Sequence, residues 1–111
     1  MIRHEREVVA EVRRLRLAEL RAWVSEGWIR PAQAEDGPLF DDLDVARIRL
    51  ICDLREEMSL PAEVVPTVLS LLDQVHGLRR ELRLLADAVA RQPEDARAEL
   101  LRSYRRAGGR G

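Results

Sequence analysis

The segment EGWIRPAQAEDGPLFDDLD, residues 26–44, predicts a short β-hairpin between two helices. Gly27 suits the end of the preceding helix, because glycine adopts the left-handed backbone that satisfies the last carbonyl groups. Trp28–Ile29 are expected to form the first strand, since the Arg-Pro pair that follows is biased toward extended backbone. Gly37–Pro38 marks the turn, and Leu39–Phe40 are expected to return. This segment is rich in acids, and its function must account for that charge.

A third helix is predicted directly after the hairpin. Asp41 or Asp42 can accept a hydrogen bond from the free N–H groups of its first turn, and acidic side chains suit the positive end of its dipole. The helix is expected to reach about Met58, where a Ser-Leu-Pro sequence interrupts it. Its predicted buried side consists of apolar residues at helical spacing, namely Val45, Ile48, Ile51, Cys52 and Leu54.

The N-terminal part of the chain has apolar residues at helical spacing from about Glu5 to Glu26. One long helix is compatible with this pattern. Two helices that meet near Leu15–Leu17 are preferred, because one straight helix cannot fold back to cover its own apolar stripe.

The strongest pattern in the sequence is a stripe of apolar residues that alternate at spacings of four and three. Its members are Val64, Val68, Leu71, Val75, Leu78, Leu82, Leu85 and Val89. A period of 3.5 residues predicts a coiled-coil seam, and Pro66 should confine regular helix to its own position onward. The alternative is a helix that packs on its own domain, and Leu69 and Leu72 favour such packing in its early part. We expect both, with a homodimer interface formed by Leu71, Val75, Leu78, Leu82, Leu85 and Val89.

A short last helix is predicted from Glu94 to Arg106, with Pro93 at its first position. The residues from Gly108 to Gly111 are expected to be frayed. The arginines at this end of the chain are Arg102, Arg105, Arg106 and Arg110. Such a cluster is commonly only solvated, and nonspecific contact with phosphate is its functional interpretation.

The composition argues against several classes of protein. A chain of 111 residues, with 46% hydrophobic and 35% charged residues, is expected to be one small, helical, soluble domain. Its apolar runs are too short to span a membrane, and no signal-peptide pattern begins it, so we expect a cytoplasmic protein. Cys52 is the only cysteine and is interpreted as a core residue.

The sequence also lacks the motifs of an enzyme or a metal protein. His4 and His76 are far apart and form no zinc pattern. No glycine-rich phosphate loop occurs, and the carboxylate pairs fall on helix ends and polar faces. We therefore expect no catalytic residues, no metal, no cofactor and no small-molecule substrate.

Charge is distributed unevenly, although the net charge is only −1. It is +2 in residues 1–30, −7 in residues 31–75 and +4 in residues 76–111. The acidic block covers the hairpin and the helix after it. A surface that binds duplex DNA is normally basic, because it neutralises phosphates, so this block favours a basic protein as the partner.

The order of elements resembles the MerR-like winged helix-turn-helix, in which the hairpin is called the wing. The stretches that carry this resemblance are LRAWVSEGWIRP (20–31), LFDDLDVARIRLICDLREEMSL (39–60) and the long helix. The expected fold class is mainly α: a MerR-like winged helix-turn-helix with a small β-hairpin wing and a long C-terminal coiled-coil dimerisation helix. Its expected segments are a winged helix-turn-helix-like domain (1–60), the dimerisation helix (61–91) and a short basic C-terminal helix with a frayed tail (92–111). The resemblance also implies that the long helices pair antiparallel.

The second helix departs from the MerR pattern. In MerR regulators this helix carries an Arg-Thr-x-Arg-Tyr-Tyr-type surface that contacts DNA. Alignment on the glycine that ends the helix gives the corresponding residues as Ala18, Glu19, Arg21, Ala22 and Trp23. Only Arg21 and the aromatic Trp23 are retained, and the loss matters because phosphate contacts supply much of the affinity for DNA.

The chain is also similar to a narrower family, the bacterial chaperone modulator CbpM. The matching residues are Leu20, Val24, Gly27, Ile29, Pro31, Phe40-Asp41-Asp42, Leu54-Arg55-x-Glu57, Leu60, Leu69-x-Leu71-Leu72-Asp73 and Leu78-Arg79-x-Glu81-x-Arg83-Leu84-Leu85. They lie within about residues 15–90. The resemblance implies a small MerR-like protein that binds the J-domain of a DnaJ/CbpA-type co-chaperone.

The resemblance and the charge distribution lead to the same hypothesis. J-domains carry a strongly basic second helix that engages Hsp70, and an acidic surface is complementary to it. Asp53, Glu56 and Glu57 lie at spacings of three and four, on one face of a helix, with Asp42 or Asp73 expected nearby. These five residues are the predicted partner-binding site, and binding there would mask the Hsp70-binding surface without chemistry. The alternative is a MerR-type DNA-binding transcriptional regulator that uses Arg13, Arg14, Arg16 and Arg21.

Overall fold

The computed structural model describes residues 1–109. Its helices and strands are α1 (Glu5–Glu11), α2 (Leu17–Ser25), β1 (Ala32–Ala34), β2 (Gly37–Leu39), α3 (Asp42–Cys52), α4 (Val65–Ala90) and α5 (Glu94–Gly108). A π-helical turn, Asp53–Glu57, continues α3, and a 3₁₀ turn, Ala62–Val64, precedes α4. The mainly α architecture with a hairpin and a long helix is confirmed. The chain forms two compact units: unit 1 is Met1–Ser70, and unit 2 begins at Leu71. The predicted division into three segments stays a prediction.

Two short helices precede the hairpin, as predicted. The chain turns between α1 and α2 at Val12 and Leu15, whose side chains are buried and whose backbone closes the turn through a hydrogen bond from Leu15 N–H to Val12 O (3.0 Å). The backbone N–H of Arg16 donates to Glu19 Oε1 (3.1 Å) at the start of α2. No glycine or proline marks the break between α1 and α2. The burial of Val12 and Leu15 therefore explains why the chain turns there.

The hairpin lies later in the chain than the sequence pattern indicated. β1 pairs antiparallel with β2, and Ala32 lies opposite Leu39. The prediction of Trp28–Ile29 as the first strand is wrong, because the N–H of Trp28 donates to the carbonyl of Trp23 at the end of α2 (2.9 Å) and both side chains pack in the core. Phe40 exchanges two backbone hydrogen bonds of 2.8 Å with Arg3, so the N-terminal segment pairs beside the hairpin. Hereafter, the wing is residues 32–39.

Gly27 and Gly37 have φ angles of +81° and +121°. Gly27 therefore adopts the left-handed conformation predicted for the end of α2, and Gly37 allows the sharp turn into β2. A residue with a side chain is strained at such φ angles. Both positions therefore require glycine because of their backbone conformation, and not because a side chain would lack space.

The predicted cap and the buried side of α3 are confirmed. Asp41 precedes the helix, and its carboxylate accepts a hydrogen bond from the N–H of Asp44 (2.8 Å). The N–H of Asp41 in turn donates to Asp44 Oδ2 (3.0 Å). All five residues predicted for the buried side of this helix are buried.

Unit 1 contains a continuous apolar core to which every helix up to α4 contributes. The first turns of α4 pack into it through Val65 and Leu69. Val64, which starts the predicted seam, is 37% exposed, so the core face and the seam are offset by one residue. One residue corresponds to about 100° around a helix, which lets α4 use one side for the core and another for the seam.

Unit 2 has no buried residue among those that the structure describes. It consists of the remainder of α4 and α5. The predicted last helix starts at Glu94, as expected, but Pro93 caps it from outside, and it continues to Gly108. Arg110 and Gly111 lie outside the described residues. No helix described here is long and apolar enough to cross a bilayer.

Candidate functional site

Three carboxylates gather on the π turn that follows α3. We call this set the acidic cluster: Asp53, Glu56 and Glu57. All three lie close to one guanidinium, that of Arg14, at the turn between α1 and α2. Its Nη1 atom lies 2.8 Å from Asp53 Oδ1 and 3.6 Å from Glu57 Oε1, and its Nε atom lies 3.9 Å from Glu56 Oε2. One arginine therefore pairs with three carboxylates, and the net charge of these four side chains is negative.

The π-helical backbone helps to bring these side chains together. In the π turn the N–H of Met58 donates to the carbonyl of Asp53 (3.1 Å), which is the wide hydrogen-bond spacing that an inserted residue produces. The turn ends at Ser59, whose φ of +55° is left-handed, and Arg55 Nη1 donates to the carbonyl of Leu60 (2.7 Å). The acidic cluster is thus held at a defined, irregular end of the helix.

The ion pairs of the acidic cluster are open to water. The side chains of Asp53, Glu56 and Glu57 are 45%, 47% and 72% exposed, and that of Arg14 is 37% exposed. The hydrogen bond that Arg14 donates to Asp53 raises the pKa of Arg14 above its ordinary value. Exposed ion pairs of this kind contribute little to stability, so a partner's cation can compete for the carboxylates at little cost.

Asp42 lies away from the acidic cluster. It starts α3, whereas the cluster follows its end, and the 11 residues of the helix separate them by about 16 Å. The expectation that Asp42 lies near the cluster is therefore wrong. Its carboxylate pairs with the largely buried Arg3 (2.7 Å), and this hydrogen bond holds the pKa of Asp42 below its ordinary value. Asp73 is an exposed residue of α4 in unit 2.

Arg3 makes a second ion pair, with Glu11 of α1. Glu11 also lies 3.6 Å from Arg49 Nη2 of α3. This network joins the N-terminal segment, α1 and α3 beside the hairpin. The role of Asp42 in the structure is therefore to hold these elements together.

Two of the four arginines of the alternative, DNA-binding site are paired with acidic side chains. Arg14 is engaged by the acidic cluster, and Arg21 Nε lies 3.0 Å from Glu5 Oε2. Arg13 and Arg16 are exposed. The sequence pattern did not reveal the pairing of Arg14, although the opposite charges at the end of the first predicted helix and the end of the third were a signal for it.

Trp23 also has a structural role. Its side chain is 8% exposed and stacks on Trp28, with ring centroids 6.2 Å apart. The aromatic residue retained from the MerR-type surface is therefore part of the core, and it is not presented to a DNA duplex. The reason is its position: Leu20 and Trp23 share the inner face of the second helix.

The wing carries acidic charge at its tip. Glu35 and Asp36 are exposed between β1 and β2, and His4 Nε2 lies 3.8 Å from Asp36 Oδ2. The sequence from Pro31 to Asp44 contains no arginine and no lysine. This wing has no cation of its own to offer to a phosphate.

The seam of α4 is exposed in the single chain. Of the six seam residues predicted for the dimer interface, Val89 is half-buried and the other five are 41–64% exposed: Leu71, Val75, Leu78, Leu82 and Leu85. Leucines at such exposure on one stripe are unusual for a surface in contact with water only. This stripe is the second candidate interaction surface of the molecule.

Residues 1–109 contain no group of three His, Cys, Asp or Glu side chains that could hold a metal ion. Cys52 is buried, and burial raises the pKa of its thiol. Its place in the core agrees with the prediction from sequence.

The family of the chain follows from a comparison with protein-family models. The model described as "MerR HTH family regulatory protein" matches residues 6–87. A comparison with curated proteins gave no match. The matched residues include most of α1, all of α2, the wing and α3, and most of α4, which together are more than half of the chain. The chain therefore belongs to the MerR family of helix-turn-helix regulatory proteins.

Proposed function

We propose that this protein is a non-enzymatic chaperone modulator that binds the J-domain of a DnaJ-type co-chaperone. The observation that carries the proposal is the acidic cluster, in which three exposed carboxylates share the single cation of Arg14. The similarity to the CbpM family supplies the class of partner. The basic second helix of a J-domain has the charge that this surface lacks.

Binding would proceed by exchange of cations. Lysine or arginine side chains of the partner would take positions beside Glu56 and Glu57, where Arg14 lies at the longer distances of 3.9 and 3.6 Å. Complementary charges of this kind raise the association rate and exclude wrong partners more than they add affinity. The bound protein would cover the helix that the J-domain uses for Hsp70, so regulation is competitive masking.

The functional form that we propose is a homodimer through the α4 seam. Leucine and valine at spacings of four and three, with exposed side chains on one stripe, fit a second copy of the same helix. A dimer would present two acidic clusters and could hold two co-chaperone molecules.

The second candidate function is a DNA-binding transcriptional regulator, which the family match itself favours. The charges of the site oppose it. The only cation within α2 is Arg21, which pairs with Glu5, and the wing has acids at its tip. Phosphate neutralisation supplies most of nonspecific DNA affinity, and this face offers little of it.

The two candidates are separated by measuring capture of a DnaJ-type protein and binding to mixed-sequence duplex DNA, both at physiological salt. The test variant is Glu56→Arg with Glu57→Arg. Its matched control is Glu26→Arg with Glu63→Arg, which makes the same change of net charge at exposed acids outside the acidic cluster. We expect the test variant to lose co-chaperone binding by at least about tenfold, since opposed charges replace complementary ones, and the control to bind normally.

Undiminished capture by the Glu56→Arg, Glu57→Arg variant would overturn the proposed site. Tight, salt-sensitive binding to the duplex, without capture of the co-chaperone, would overturn the proposed function and support the second candidate. In that case Arg13→Ala with Arg16→Ala should weaken DNA binding.

A further inference from the structure

The α5 helix has two chemically different faces. Residues at helical spacing form an apolar stripe: Ala96, Leu100, Leu101, Tyr104 and Ala107. On the opposite face, Glu99 accepts a hydrogen bond from Arg102 (2.8 Å) and lies 3.9 Å from Arg106. Three charged residues of α5 therefore form ion pairs on this face, and the apolar stripe on the other face is what remains to be covered.

The apolar stripe of α5 has no cover within the described chain. Leu100, Leu101 and Tyr104 are 48%, 44% and 76% exposed, and no residue of α5 is buried. An isolated helix of this length, 15 residues, is only marginally stable in water. Its stability must come from packing on another surface.

The α4 helix offers more apolar surface than a seam of two helices uses. Such a seam covers the positions that repeat at spacings of three and four. Leu84 lies beside that stripe and is 63% exposed. A stable protein interface involves roughly 20–30 residues on each side, whereas the seam predicted from sequence supplies six. A pair of α4 helices therefore has apolar surface left over, which a further helix could cover.

The dimensions of the two helices match. From Leu71 to Val89 the seam is about 27 Å long, and α5 is about 22 Å long, at the helical rise of 1.5 Å per residue. Only the connection Arg91–Pro93 separates α4 from α5, so α5 stays close to the end of the surface that it would cover.

We propose that the stripe of α5 packs against the α4 helices of the homodimer, so that four helices, two from each copy, close one common core. This inference rests on the dimer proposed above and adds to it a required second element. The occupant of the stripe is the second copy, because unit 2 brings two uncovered apolar surfaces of similar length and has no buried residue of its own among those described.

The experiment uses the full chain and two variants of α5. Leu100→Asp with Leu101→Asp places charges in the stripe. Ser103→Asp with Arg105→Asp places the same two aspartates at exposed positions outside it. Sedimentation equilibrium gives the dimer Kd, and amide hydrogen exchange reports the protection of α5 above and below that concentration. The fluorescence of Trp23 and Trp28 confirms that unit 1 stays folded.

We expect the stripe variant to raise the dimer Kd about 100-fold or more, because two buried leucines are lost to water, and the control to change it by less than about threefold. In the unmodified protein, protection of the α5 amides should appear only at concentrations where the dimer forms.

Three results would overturn the inference. The first is an unchanged Kd in the stripe variant of a protein that still dimerises, which leaves the seam dimer standing without α5. The second is equal weakening by both variants. The third is a wild-type chain that stays monomeric at high concentration, which overturns the proposed dimer as well. Binding of α5 to anionic lipid vesicles, lost in the stripe variant while the Kd is unchanged, would assign the stripe to a membrane surface instead.

Discussion

Unit 1 and unit 2 use the same apolar residue types in opposite ways. In unit 1 most large apolar side chains are packed against one another, and Phe40, Ile29, Ile48 and Ile51 have no exposed surface. In unit 2, every leucine except the partly buried Leu72 is 44–64% exposed. The hydrophobic effect stabilises only surface that is removed from water. Unit 1 therefore has its own folding energy, whereas unit 2 leaves its apolar side chains exposed in the single chain and gains such energy only in the dimer that we propose.

The strongest test of this comparison is a cavity in unit 1. Phe40→Ala removes a ring with no exposed surface and should lower the free energy of unfolding by about 3–5 kcal/mol. Chemical denaturation followed by tryptophan fluorescence measures the loss. The matched control is Leu43→Ala, at a position that is 80% exposed, which should change stability by less than about 0.5 kcal/mol. Equal effects would show that unit 1 lacks the packed core described here.

The complementary test places charges in the seam. Leu78→Asp with Leu82→Asp should abolish dimer formation at micromolar concentration, because four aspartates would meet in one apolar interface. The unfolding transition of the tryptophans in unit 1 should persist, since neither side chain belongs to the core. Light scattering gives the mass, and fluorescence gives the transition. If the variant lost the unfolding transition of unit 1 but kept the mass of a dimer, these two leucines would support the fold of unit 1 and not the dimer.

The smallest expected effect concerns Arg14, at the edge of unit 1. Arg14→Ala should lower the stability of the protein only slightly, because its ion pairs are exposed. The same change should increase the affinity for a DnaJ-type protein several-fold and make it more sensitive to salt, since it frees all three carboxylates. Calorimetric titration at two salt concentrations measures both. Weaker binding of Arg14→Ala would mean that this arginine contacts the partner itself.

The sequence predicted the parts of the fold that depend on local chemistry. The cap at Asp41, the left-handed glycine at position 27 and the buried side of α3 each follow from a few neighbouring residues, and the structure contains them. The first strand was misplaced because Trp28 and Ile29 read equally well as a strand and as core. Tertiary packing decided between these readings, and it is not a local property.

The candidate site was only partly predictable for the same reason. Helical spacing placed Asp53, Glu56 and Glu57 on one face, but it gave no information about Arg14, which reaches all three from the turn between α1 and α2. Asp42 carries the same charge as these acids, yet its partner is Arg3, far from it in sequence. Counting charges along a chain gives the net charge of each segment, but it does not show which charges form ion pairs.

The buried thiol of Cys52 has a practical consequence for experiments on this protein. It is the only cysteine in the sequence, its side chain is in the core, and burial raises its pKa. A thiol of this kind reacts slowly with alkylating reagents, because the thiolate is the reactive form. Fluorophores or spin labels can therefore be attached to a single cysteine introduced at the surface of either unit, while the native residue stays in place. Distances between such labels in a mixed sample would report assembly directly.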